Sequence, residues 1–486
     1  MKFFLKRKIY LLFICFGALF YAAFGLSETS DVQIFYRCYS QLTQSYPMPN
    51  DQSLIKVEAG ELDPIEACMN MLIAVEFNSS DGNIYTLKDQ SQPLNIKIAN
   101  TFHDLHYSWF SVRQFSAMSQ LERGTRDTLD HMGQAIYITK SLFVKDMPFK
   151  DIFTGAKNLL ARRSIQQKVN GTFPVRSPYS NLPASVFPLA RQVPNDFNFA
   201  PQGDLLGVEF INNKTINFID EAKVERPAGQ IDFGLHYGGG VLGSMVYILQ
   251  TVQEGSPYYK SNAFRTPRRW ARSIFSDFMC RDLPVVRENE DAAKDPTTSE
   301  SFVDSNSTMS FRLSTGCTQC HVSMDRMSFA LRNYQVNGFG AELLENIIGS
   351  FLFKYPTTLP AANIWPAAPD EQFHLRPPEG YLYIRSWDGK LINKKVTGVE
   401  ELGKAIGEID EPYICAASRY FEYFTGIKAE IDDVEIYKDS PLSKEEVEIR
   451  KFVVKLGLDL KSNPQQDLKL LIDEILRSPY YKASIH

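Results

Sequence analysis

The chain has 486 residues, 44% of them hydrophobic and 22% charged, with a formal charge of −5 at neutral pH. That length and apolar content suffice for two or three packed domains and exclude a wholly disordered chain. The acidic balance argues against nucleic acid or an anionic membrane surface as the partner.

The first residues, MKFFLKRK, form a basic region ahead of the apolar run IYLLFICFGALFYAAFG, where Ala23 and Gly25 supply small residues for cleavage. This reads as a signal peptide over residues 1–25 and an address in the periplasm or outside the cell, with retention as an uncleaved anchor the alternative. The run is short for a spanning helix and no second one follows, so no transmembrane segment is expected after cleavage. Cleavage removes Lys2, Lys6, Arg7 and Lys8, which takes the balance from −5 to −9.

Residues 26–170 read as a helical N-terminal domain. Phe35, Cys38, Tyr39 and Leu42 repeat at helical spacing, as do Ile65, Cys68, Met69 and Leu72. The second run opens on Asp63 as N-cap, Pro64 at the first helical position and Glu66 in a capping-box-like place. His103 and His106 lie three apart and could bind a metal, but beside Trp109 and Phe110 they read as ordinary packed or surface histidines. The stretch DTLDHMGQAIYITKSLFVKDMPFKDIFTGAKNLLARR looks like amphipathic helix to its end.

Residues 171–230 form a Pro-rich, irregular connection with short strands. GGGVLG, from Gly238 to Gly243, fits the G-x-G-x-x-G fingerprint. No repeated βαβ pattern follows it, so it reads as a flexible turn before a helix. RRWARSIFSDFMC is helical and carries Cys280. Residues 346–395 are an irregular segment with short β pieces such as GYLYIRSW, and residues 396–486 are a C-terminal helical domain. There Ser443 and Glu446 form a capping box, and DLKLLIDEILRS is the last amphipathic helix.

Within residues 231–345 lies GCTQCHVSMDRMSFALRN, which puts Cys317, Cys320 and His321 within five positions. A zinc site would need a second ligand pair, and none is present. A thioredoxin-like couple should follow a buried strand, yet DSNSTMSFRLST is too polar for one. Covalent haem attachment needs only what is here. Two thiols a two-residue spacer apart reach the two vinyl groups of one macrocycle, and the adjacent His321 binds the iron from the proximal side. The expected cofactor is one covalent haem c. No methionine follows Met327, so the sixth ligand is expected from His236 or His374, from an upstream methionine such as Met245 or Met279, or from none.

Apart from Cys15 in the leader and the haem pair, four cysteines remain, Cys38, Cys68, Cys280 and Cys415, which suggests disulfides in an oxidising compartment. Cys38 and Cys68 lie on the apolar faces of consecutive helices, so their pairing is the economical one and leaves Cys280 with Cys415. Four buried thiols are the alternative.

The haem segment resembles that of the large exported c-type cytochromes of planctomycetes and other environmental bacteria, which reads approximately CxxCHxxMDPxGFALENFDxxG. Cys317, Cys320, His321, Met324, Asp325, Phe329, Ala330, Leu331, Asn333 and Gly338 match, while Arg326, Ser328, Arg332 and Gln335 depart from it. RRWARSIFSDFMCRDLP and VEELGKAIGEIDEPYICAASRYFEYFTG are similar to flanking helices of the same family, which ties Cys280 and Cys415 into one haem module. The resemblance implies packing of Met324 against the ring and a single haem. The expected fold is mainly α: a helical N-terminal domain plus a cytochrome c-like helical haem module, with irregular and short β connections. The expected function is electron transfer, or redox coupling to a partner protein or a small-molecule redox substrate. The alternatives are a haem peroxidase or oxidase with an open iron site, and a non-redox surface or scaffold protein with structural haem.

Overall fold

The computed structural model describes residues 30–79, 84–89, 91–111, 134–156, 158–163, 205–211, 215–216, 231–232, 237–244, 247–248, 265–286, 315–332, 334–336, 352–354 and 377–483. The leader, His236, His374 and the Met245 side chain lie outside the described residues.

Helix α1, Asp31–Thr43, begins at a reciprocal capping box between Ser30 and Gln33. Helix α2 is Gln52–Glu58, and α3, Pro64–Ala74, starts where the Asp63 carboxylate accepts from the backbone N–H groups of Ile65 and Glu66. Phe35, Cys38 and Leu42 of α1 and Ile65, Cys68 and Leu72 of α3 are all buried, so the two apolar stripes meet and Cys38 bonds Cys68.

Strands β1, Phe77–Ser79, and β2, Ile84–Leu87, precede α4, Pro93–Ser108, and α5, Ala135–Phe143, a helix buried on every side. A short 3₁₀ turn at Phe149–Phe153 leads to β3, Asn158–Arg163, and β4 follows at Leu205–Ile211. These strands form an antiparallel sheet in the order β1-β2-β4-β3, with Leu159 opposite Phe210 and Tyr85 opposite Val208. NLLARR is therefore a strand and not the end of a helix. Gly155, at φ +92°, turns the chain out of helical geometry just before it, and pairing with β4 then overrides the helix propensity of Leu, Ala and Arg. The N-terminal region is thus helices plus a small sheet.

Strands β5, Thr215–Ile216, and β6, Ile231–Asp232, pair with each other. The glycine-rich segment 238–243 is a tightly packed crossing that ends in a 3₁₀ turn, where sequence suggested a loose one. Gly239 and Gly240 have φ of +71° and +58°, and a Cβ on them would come within 2.4 Å of the Val399 carbonyl oxygen and 2.1 Å of that of Ile152. Two independent constraints, handedness and space, require glycine here.

Helix α6, Arg265–Met279, buries Trp270, Ile274, Phe275 and Phe278, and α7, Thr315–Ser328, lies against it. The short strands β7, Tyr334–Val336, and β8, Leu352–Lys354, pair with each other. Strands β9, Glu379–Arg385, and β10, Leu391–Thr397, form a hairpin whose β9 face packs on α7. Gly380 permits that approach, since a Cβ there would lie 2.8 Å from the Arg326 carbonyl oxygen.

Helix α8 is Gly398–Glu408, and α9, Glu411–Thr425, is the central post of the molecule, with Tyr413, Ala417, Tyr420, Phe421 and Phe424 fully enclosed. It ends at Gly426 in the left-handed region, whose N–H donates to the Glu422 carbonyl. Around α9 pack α6, α10, Lys444–Ser462, and α11, Leu468–Arg477; α12, Pro479–Ala483, closes the described chain. Cys280, just past α6, bonds Cys415 of α9. The fold is mainly α-helical with short, unclosed β connections. Among the described residues, no helix is long and apolar enough to cross a membrane.

Candidate functional site

Helix α7 starts at Thr315, so Cys317 falls in its first turn and Cys320 and His321 follow three and four positions later. That spacing places all three on one side of the helix. The Cys317 side chain lies outside the described set. Cys320 is half-buried and belongs to neither disulfide. Met324 lies one further turn along the same side and packs, partly buried, against the hydrophobic core. The opposite side of α7 is fixed by Val322, which is buried in that core, and Met327, two turns beyond Cys320, is buried there as well.

The His321 ring is about a quarter exposed, at 28%, and its Nδ1 stands 3.2 Å from each oxygen of the Asp325 carboxylate, one helical turn away. Asp325 is itself buried and is gripped by Arg268 of α6, with Nε 2.7 Å from Oδ1 and Nη2 2.9 Å from Oδ2. This is a two-pronged, charge-assisted contact across the α6–α7 interface. Burial pushes the Asp325 carboxyl up, but the His321 hydrogen bond and the Arg268 charge outweigh it and hold the group below its ordinary value. An ionised carboxylate can only accept, so Nδ1 carries the proton and donates it. In a neutral ring this tautomer puts the lone pair on Nε2, the atom an iron ligand uses.

Arg326 and Arg332, two of the departures from the family pattern, are both buried. The Arg326 guanidinium lies 4.7 Å from the Tyr383 ring centre, and that of Arg332 lies 4.0 Å from the Phe329 ring centre while donating to the Pro377 carbonyl at 3.3 Å. Arg326 joins α7 to the β9–β10 hairpin through cation–π stacking, and Arg332, just past α7, reaches the chain that enters the hairpin through its hydrogen bond to Pro377.

The other buried histidine is arranged differently. His106 Nδ1 is 2.8 Å from Thr139 Oγ1, and Nε2 is 2.6 Å from the Tyr420 hydroxyl. Thr139 gives its own hydroxyl proton to the Ala135 carbonyl and must accept from Nδ1, so Nε2 accepts from Tyr420. Both ring nitrogens are consumed, and burial together with the neighbouring His103 drives the pKa well below its ordinary value. His103 is equally buried. The pair is packed in the interior, as its neighbours Trp109 and Phe110 suggest. Among the described residues, no group of three or more His, Cys, Asp or Glu side chains could hold a metal ion.

A second buried cluster lies on α6. The Asp277 carboxylate accepts from the Ser111 N–H at 2.8 Å and from the Tyr247 hydroxyl at 3.1 Å. Burial raises its pKa to about 6 despite the nearby Arg419 guanidinium, which donates to the carbonyls of Trp109 and Ser276. A cavity of about 530 Å³ opens elsewhere, among Met69, Phe143, Lys469 and Leu470, and none of Cys320, His321 or Asp325 lines it.

The donor set on α7 fits a covalently attached haem: a thiol pair at the attachment spacing, the next residue an imidazole, and a buried carboxylate holding that imidazole by its far nitrogen. Asp325 stands out in the sequence only as a match to the resembled haem segment, and its i+4 place after His321 is the signal that could have found the contact. Nothing in the sequence signals Arg268. Met279 is buried in the core at the end of α6, and the alternative distal candidates His236 and His374 lie outside the described residues. No family model matches the chain, and neither a curated protein nor a solved structure matches it.

Proposed function

We propose that the protein is a single-haem c-type cytochrome of an oxidising compartment, periplasmic or extracellular, that carries electrons to or from a redox partner protein or a small-molecule redox substrate. The observation that carries this reading is the Cys317-x-x-Cys320-His321 cluster at the start of α7, with the imidazole fixed by Asp325. The two disulfides support the compartment, because such bonds persist where thiols are not kept reduced. The likeness of residues 231–345 to the haem module of the exported cytochrome family supports the cofactor.

In this reading Cys317 and Cys320 would hold the macrocycle through thioethers and His321 would supply a nitrogen ligand to its iron. When bound, the haem supplies the one-electron chemistry. The chain's own contribution is to fix the imidazole's tautomer and orientation, to present the Met324 side chain on the same side of α7, and to keep the helix rigid against α6 and the β9–β10 hairpin. A histidine from the segments around His236 or His374 is the proposed sixth ligand. A second reading, a peroxidase or oxidase with an open iron site, is favoured by the His321–Asp325 contact, since a carboxylate partner makes the imidazole a more basic ligand.

Protein made together with a c-type cytochrome maturation apparatus should gain the mass of one haem and stay coloured after acid–acetone extraction. Colour that extracts completely, or stoichiometric zinc, would reject the reading. Carbon monoxide or peroxide binding at the iron separates the enzyme reading from simple electron transfer.

A further inference from the structure

We infer that Asp325, clamped by Arg268, is a positioning residue that holds His321 in its Nδ1–H tautomer and increases the electron donation of its Nε2 atom. The inference rests on the haem reading for its consequence at the iron, but its first half concerns the protein alone.

Three observations carry it. The contact is to the imidazole's Nδ1, with both carboxylate oxygens at 3.2 Å, so the ring cannot leave that tautomer without losing a charge-assisted bond. The carboxylate is buried and held by two hydrogen bonds from Arg268, so it does not swing away to solvent. The two halves of the clamp come from different helices, α6 and α7, which lie against each other. A carboxylate accepting from Nδ1–H gives the ring partial imidazolate character and stabilises the oxidised form of any metal on Nε2. Arg268 moderates this by sharing the same two oxygens.

A merely structural ion pair would contribute to stability and nothing else, so the test reads the imidazole and the iron. In haem-free protein carrying Cys317→Ala and Cys320→Ala, nitrogen NMR of ¹⁵N-labelled histidine at mildly alkaline pH should report Nδ1–H for His321 and change to Nε2–H in Asp325→Leu. In the haem-loaded protein, Asp325→Asn should raise the midpoint potential while retaining covalent haem. Asp325→Glu, which keeps the charge but alters its reach, should fall between, and it serves if the asparagine variant does not fold. Asp277→Asn, which alters a buried carboxylate on α6, the helix of Arg268, away from His321, should leave the potential where it is. An Nε2–H tautomer in the haem-free parent, or an unmoved potential in a haem-retaining Asp325→Asn, overturns the inference and leaves the cytochrome reading standing. A parent protein that acquires no covalent haem overturns the consequence at the iron together with the cytochrome reading, while the NMR result still decides the tautomer.

Discussion

His106 and His321 sit at opposite ends of what a fold can do with an imidazole. Around His106, between α4, α5 and α9, a hydroxyl acceptor takes one nitrogen and a hydroxyl donor takes the other, and the ring is fully enclosed. Around His321, one nitrogen is held by a buried carboxylate and the ring reaches the surface. Burial alone does not distinguish a structural histidine from a ligand. The difference lies in what Nδ1 meets: a hydroxyl in a closed network, or an ionised carboxylate that orients the ring.

The sharpest way to break this comparison is to exchange the two sites' losses. In haem-loaded protein, His321→Ala should abolish the native visible spectrum, whereas His106→Ala should leave it intact in whatever fraction folds; a spectrum that survives His321→Ala would remove the contrast.

The disulfides come next, because α9 carries both Cys415 and Tyr420 and so ties the two histidine regions together. Closure entropy grows with loop length. Replacing Cys280 and Cys415, 135 residues apart, should therefore cost about 5 kcal/mol and replacing Cys38 and Cys68, 30 apart, about 4 kcal/mol in denaturant unfolding.

In haem-free protein the two histidines should exchange ranks. His106→Ala strands Thr139 and Tyr420 in the interior and opens a cavity, for a loss of about 4 kcal/mol. His321→Ala should cost only about 1 kcal/mol, since Asp325 keeps Arg268. Chemical denaturation of the two variants checks the order.

Acid gives the most selective separation. The Asp277 pKa of about 6 lies above its ordinary 3.8, so the folded state binds the extra proton in that window. Its contribution to stability is present below about 4 and is lost as pH rises towards 6, by up to about 3 kcal/mol, and Asp277→Asn should flatten that fall. His106 has the opposite sign. Its folded pKa is depressed, so its contribution is whole above the ordinary histidine value and is lost as pH falls below it. Stability measured against pH for both variants should show opposed differences from the parent.

What the sequence made legible was local. The Ser443–Glu446 capping box, the Asp63–Pro64 helix start and the apolar stripes that bring Cys38 to Cys68 depend on residues a few positions apart, and the structure contains all three. The thiol–imidazole cluster was legible for the same reason. What was hidden is joined across long separations. Strand β3 looks helical until β4 pairs with it, Tyr420 is 314 residues from His106, and Arg268 is 57 from Asp325. The glycines of segment 238–243 looked like a loose turn because their spacing carries no trace of the segments that press on them.

That crossing decides how the protein can be taken apart. At Gly239 and Gly403 the backbones nearly touch, a Cβ on Gly403 falling 2.6 Å from the Gly239 Cα and 2.2 Å from the Phe153 carbonyl oxygen. Three stretches from the first, middle and last thirds of the chain are keyed together with no side chain between them. A fragment ending before residue 398 would lose the surface on which the other two are seated, so genetic dissection there should release pieces that aggregate rather than domains that stand alone.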